Sequence, residues 1–166
     1  MTANDPHKMN GRASCVWNRM DSPKTPPPAL PCFDTTERIL GVFYNVYNEL
    51  GPGFPEFVYR RALVLALRQA GVEANEDVSL PVWSRGVRIV NFRVDIFVNT
   101  GPVLIEVKAT NSLERFHTTQ TLGYLKATEV EVSLILNFGR QPQFRRVIFE
   151  NGRKSALHGE GQLQEG

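Results

Sequence analysis

The sequence predicts an α/β protein built on a mixed β-sheet flanked by helices. Three observations carry that prediction. Apolar residues recur at helical spacing in two segments before residue 71, and a third helix is expected near residues 113–128. Runs of strand length, rich in Val, Ile and Phe and bounded by Gly, Pro and Asn, fill the rest of the central region. The resulting order, ααβββαββ, puts strands between helices, so the sheet is expected to be covered on both faces.

Residues 1–33 read as a disordered, Pro-rich tail: polar, without periodicity, and ending in Thr25-Pro-Pro-Pro28 and Pro31. Met9 and Met20 are alternative starts. Asp34-Thr-Thr-Glu37 has the form of a capping box and opens the first helix, with Ile39, Phe43, Val46, Tyr47 and Leu50 as its buried stripe and Gly51 as its stop. Pro55 suits the first turn of a second helix, whose stripe is Tyr59, Leu63, Ala66, Leu67 and Ala70 before Gly71. Strands are expected over Val78–Trp83, Val87–Val98 and Val103–Ala109, with turns at Ser84-Arg-Gly86 and Asn99-Thr-Gly-Pro102. A helix over Leu113–Thr128 precedes two closing strands, Val132–Phe138 and Phe144–Phe149. The domain is thus placed at 34–150, and residues 151–166 read as a polar, frayed tail.

Composition narrows the function. A chain of 166 residues suits one domain with a real core. No apolar run approaches the roughly 20 residues of a membrane helix, and the N-terminus has no apolar signal segment. Two cysteines, Cys15 and Cys32, make no disulfide framework, so a reducing cytoplasm is the expected compartment. Three scattered histidines argue against zinc. The net charge of +2 allows a local basic face for nucleic acid without requiring one.

Chemistry concentrates in one hairpin, Phe92-Arg-Val-Asp-Ile-Phe-Val98 and Val103-Leu-Ile-Glu-Val-Lys-Ala109. Strand alternation puts Phe92, Val94, Ile96 and Val98 on one face and Asp95 on the other. On the second strand Val103, Ile105 and Val107 share a face, while Glu106 and Lys108 share the opposite one. If Val98 pairs with Val103, Asp95 lies opposite Glu106, where like charges repel. A divalent metal or a shifted pKa would offset the repulsion. Two carboxylates that hold Mg²⁺, with a lysine on the same face, are what metal-assisted phosphodiester cleavage needs. The lysine then orients the water or stabilises the transition state. The same spacing also fits a solvated Glu–Lys pair on a strand.

Helices supply partners. Glu56 shares the stripe of Tyr59 and Leu63, so it is a third metal ligand or a plain helix-start acid. Gln120 and Tyr124 lie four apart on one helix face, extended by His117 and Leu113, and are placed to bind phosphate or hold the lysine. Arg93 shares the strand face of Asp95. Arg60, Arg61 and Lys126 are basic candidates for backbone contact, or simply solvated charges.

The ordered set resembles a known family. Gly53-Phe-Pro-Glu56-Phe-Val-Tyr59, after Glu49-Leu-Gly-Pro52, is similar to the GxxExxY motif, and Asp95 with Glu106-Val-Lys108 resembles the signature of the PD-(D/E)XK nuclease superfamily. Gln120-Thr-Leu-Gly-Tyr124 looks like the QxxxY motif of the superfamily's recombination-type exonucleases, and Leu125-Lys-Ala-Thr128 and Leu136-Asn-Phe138 extend the likeness, which spans about residues 36–149. Val94 stands where the strict pattern has proline, a change that removes no reacting group.

The resemblance implies a restriction-endonuclease-like core of four strands with added elements, and a Mg²⁺- or Mn²⁺-dependent nuclease. It implies that Asp95 and Glu106 are metal ligands together with the Val107 carbonyl, that Glu56 is an accessory ligand, and that Lys108 acts on the water or phosphate. Gln120 and Tyr124 would position phosphate or lysine. The expected partner is nucleic acid, DNA before RNA, with no membrane; a homodimer would allow double-strand cutting. The contrasting expectation is a nucleic-acid- or protein-binding module that keeps the fold without turnover.

Overall fold

The computed structural model describes residues 32–85 and 87–158. Most of the expected N-terminal tail lies outside that range, as do residues 159–166. The elements run α1 (Phe33–Leu50), α2 (Glu56–Gln69), β1 (Ala74–Ser84), β2 (Val87–Val98), β3 (Val103–Lys108), α3 (Arg115–Ala127), β4 (Val132–Asn137), β5 (Gln143–Ile148) and α4 (Asn151–His158). The five strands form one sheet in sequence order; β3 and β4 are parallel and the other neighbours antiparallel. The five strands match the number in the expected order and add one strand to the four-stranded core that the resemblance implied.

Helices α1 and α2 cover one face. Ile39, Phe43, Val46, Tyr59, Leu63 and Leu67 pack there against Ile96, Ile105, Val107, Leu134 and Leu136. Helix α3 covers the other, with Tyr124 and Leu125 against Val94, Leu104 and Ile135. Strands β3 and β4 are central and almost wholly buried, as a parallel pair under helices on both sides must be. Pro81 is tolerated in β1 because β1 is an edge strand.

Several local expectations are corrected. The proposed capping box at Asp34 is not used: α1 starts at Phe33 behind Cys32, with no side-chain cap. Asp34 instead sits in the first turn, where its charge suits the helix dipole, and Thr36 Oγ1 donates back to the Phe33 carbonyl at 2.8 Å. Pro55 lies one residue ahead of α2 rather than inside it. Ala70 is exposed and Tyr47 and Leu50 are only half-buried, while Leu40 and Val64 join the core. Strand β1 begins four residues earlier than expected, because pairing with β2 overrides the weak strand propensity of Ala74-Asn-Glu-Asp77. The segment read as a tail from residue 151 opens with α4. Lys154 there is 7 % exposed, and its Nζ donates to the carbonyls of Thr128 (2.7 Å) and Val130 (2.8 Å).

The largest correction concerns β2. Phe92, Val94, Ile96 and Val98 do not share a face: Phe92 and Val94 pack toward α3, Ile96 and Val98 toward α1 and α2. Their partners change sides with them, since Ala74 lies in the first core and Val78 against the second. The β1–β2 ribbon turns over between the Glu76–Ile96 and Val78–Val94 pairs. Asp77 adopts φ 62° at that point, a left-handed conformation that aspartate tolerates better than most residues. Asp95 sits opposite it.

Candidate active site

The β2–β3 ladder starts at the turn as expected, with Val98 against Val103, Phe97 against Leu104 and Ile96 against Ile105. Gly101, at φ 69°, makes the turn. The ladder stops one pair short of Asp95 and Glu106. There the two strands fork, β2 leaving with β1 and β3 staying with β4. The Val107 N–H, which a longer ladder would have used, donates to Asp95 Oδ2 at 2.8 Å. The fork is therefore held by the aspartate side chain itself.

Glu106 and Lys108 share the α3 face with Leu104, as expected, and Val107 points the other way into the core. Glu106 is 5 % exposed. Its Oε2 lies 3.5 Å from Lys108 Nζ, and its buried Oε1 has no hydrogen-bond partner among the described residues. Burial pushes the Glu106 carboxyl up to about 7, with the Asp95 and Glu56 charges adding to the rise and Lys108 opposing it. One ammonium does not offset burial plus two carboxylates.

Arg60 is the residue the sequence reading placed wrongly. Its Nη1 donates to Asp95 Oδ1 at 3.1 Å, with Glu76 3.9 Å from its Nε. It is an internal counter-ion rather than a solvated charge. Its spacing, one turn after Glu56 on the same face of α2, is the signal that could have found it. Glu56 itself is exposed, not inward-facing; it opens α2 and its Oε1 accepts the Ala109 N–H at 3.3 Å. That contact ties α2 to the end of β3. Beside it lies a cleft of about 370 Å³ bordered by Phe54, Thr110, Asn111 and Arg140.

From the other side, Gln120 Nε2 donates to the Tyr124 hydroxyl at 2.7 Å. Burial and the nearby Glu106 charge raise the Tyr124 phenol, and the Gln120 contact partly offsets them. This pair is thus aimed at the carboxylate face. His117 serves the start of α3, where its Nδ1 accepts the Glu114 N–H. Arg93 pairs with Asp77, Arg61 reaches only Glu76 at 4.0 Å, and Lys126 lies over the Phe149 ring; none of the three meets Asp95 or Glu106. Asn137, which the sequence singled out only within the Leu136-Asn-Phe138 likeness, bridges the Thr110 backbone through both amide atoms and fixes the loop after β3.

The donors fit a hard cation in kind. They are carboxylate oxygens, and Glu106 Oε1 is buried and without a partner among the described residues. They are not gathered as a finished cage: among the described residues no three His, Cys, Asp or Glu side chains form a metal cluster, and Arg60 holds one oxygen of Asp95.

A mixed sheet with an aspartate at a strand fork and a Glu-x-Lys strand beside it defines the restriction-endonuclease-like class of α/β domains. A family model described as the PD-(D/E)XK nuclease superfamily matches residues 33–147, and the chain belongs to that superfamily. No curated protein gives a significant match. Among solved structures, the crystal structure of SSO0001 is similar at 12 % identity and a TM-score of 0.41, covering 75 % of this chain and 82 % of that one.

Proposed function

We propose that this domain is a metal-dependent nuclease that hydrolyses phosphodiester bonds, with DNA favoured over RNA. The observation that carries the reading is Glu106: a buried carboxylate with one oxygen unpartnered and the other beside Lys108, next to Asp95 at the fork. Evolution rarely leaves such a group uncompensated unless something else binds it. Asp95 and Glu106, with the Val107 carbonyl and Glu56 at the edge, would hold Mg²⁺ or Mn²⁺. The cation supplies an acidified water and charge neutralisation at the phosphate.

The chain's own residues do the rest. Lys108 holds its ammonium beside the phosphate and orients the attacking water. Gln120 and Tyr124 present an amide and a phenol to the same face, where they position phosphate or lysine. Arg60 keeps Asp95 in place and neutralises it until the cation arrives. The proposed compartment is the cytoplasm; among the described residues no helix is long and apolar enough to cross a membrane. A homodimer would let two such sites cut both strands.

The second reading is a binding module that keeps the fold without turnover. The Arg60–Asp95 pair favours it, because a permanent internal cation there would replace the metal. Cleavage of plasmid and single-stranded DNA with Mg²⁺ or Mn²⁺ separates the two, using wild type, Asp95→Ala and Lys108→Ala. The nuclease reading expects activity in wild type alone. Equal activity in all three would end the residue assignment, and no cleavage with no metal binding by calorimetry would leave the binding module.

A further inference from the structure

We propose that the outer half of the β1–β2 ribbon is an arm that enters the groove of duplex DNA. The inference rests on the reading of the site as one that acts on nucleic acid. Beyond the turn-over at Asp77 and Asp95 the two strands pair only with each other: β2 meets β3 at Ile96–Val98 alone, whereas the β1–β2 ladder runs on to Ser84 and Val87. Every residue from Val87 to Asn91 is exposed, so both faces of this stretch of β2 stand in solvent. Three of them are large and apolar: Val87 (63 %), Ile89 (62 %) and Val90 (47 %). A free two-stranded ribbon with apolar residues on both faces buries nothing by itself and calls for a partner.

Charge indicates which partner. From Val78 to Val94 the sequence holds three arginines, Arg85, Arg88 and Arg93, and no acidic residue. The whole chain carries only +2, so the rest of it is slightly negative. Arg93 is paired with Asp77 at the base of the arm. Arg85 and Arg88, both exposed, meet no carboxylate among the described residues. A second copy of this chain would oppose arginine to arginine across a symmetric contact, which disfavours it. Nucleic acid offers phosphates for the arginines and thymine methyl groups for Ile89 and Val87, and the major groove admits a two-stranded ribbon. Arg88 is seven residues along β2 from Asp95, about 23 Å of extended strand, or about 7 base pairs at 3.4 Å per step. The arm would thus grip the duplex well away from the cut and set its register.

The test uses the full chain, a labelled duplex of mixed sequence, and Ca²⁺ in place of Mg²⁺, read by fluorescence anisotropy across a salt series. Wild type is expected to bind. Arg85→Gln with Arg88→Gln should weaken binding about tenfold and lower the slope of log K against log salt by about 2, one phosphate contact each. Ile89→Ser should weaken binding about threefold with the slope unchanged, since it removes no charge. All substituted residues are exposed, and melting curves should coincide with wild type. No duplex binding by wild type, or wild-type affinity and slope in the variants, overturns the arm. So does light scattering that finds a dimer dissolved by Ile89→Ser while DNA affinity stays. If binding depends on the arm but wild type never cleaves with Mg²⁺ or Mn²⁺, the hydrolytic reading fails and the arm stands.

Discussion

The two faces of β3 show what each layer of the molecule is for. Toward α1 and α2, Val103, Ile105 and Val107 are fully buried among apolar neighbours, with Tyr59 stacked on Phe138 at 4.4 Å. Even the Tyr59 hydroxyl is satisfied, donating to the Gly51 carbonyl at 2.7 Å. Toward α3 the same strand presents Leu104 and then Glu106 and Lys108, facing Gln120 and Tyr124. Alternate residues of six thus serve two ends. The first face gains stability from burial; the second holds charge in a place where charge is costly. A layer that spends stability in this way is expected to return it as chemistry.

Four substitutions or conditions set these faces against each other. Lys108→Ala should have the largest effect, lowering the cleavage rate about 10³-fold, equivalent to about 4 kcal/mol, with a melting temperature unchanged near pH 5, where Glu106 is protonated in the folded state, and lowered at pH 8, where Glu106 loses its partner. A plasmid-nicking time course and a thermal melt read both. Ile105→Ala, one face over, should do the reverse: it costs about 3 kcal/mol of stability by opening a cavity, while the protein that remains folded keeps any cleavage rate of the wild type.

Glu106 supplies the pH dependence. Burial, with the Asp95 charge, pushes its carboxyl up to about 7 from an ordinary value of 4.5. The folded state therefore holds a proton that the unfolded state has lost between those values, and stability falls as pH rises through that window. The contribution is fully present below 4.5 and gone above about 7, a loss on the order of 3 kcal/mol. Urea unfolding in EDTA at pH 4.5 and pH 8 should show it in wild type, and Glu106→Gln should flatten it. Tyr124→Phe is the mildest change. It removes the Gln120 contact and should cost about 1 kcal/mol, with a several-fold loss of rate if the pair positions phosphate.

Much of this contrast was legible in the sequence. The Asn99–Pro102 turn set the Val98–Val103 register, and alternation along β3 then placed Glu106 and Lys108 together. Helical spacing joined Gln120 to Tyr124. What alternation could not reveal is the side change between Val94 and Ile96, because it depends on one left-handed residue, Asp77, in the neighbouring strand. Arg60 was singled out but given the wrong partner, because arginines are usually solvated; its role follows only once the fork brings Asp95 to α2. Helix α4 looked like a polar tail because Lys154 is buried by donating to carbonyls, a contact no hydropathy pattern encodes.

On the function proposed above, the polar face of β3 is a hydrolytic centre and not a solvated charge pair. Cleavage of a labelled duplex at saturating Mn²⁺, comparing wild type with Glu106→Gln, tests it most directly. Wild type is expected to cut, and the variant, equally or more stable at pH 8, to be slower by at least about 10²-fold. Equal rates in the two proteins would contradict it.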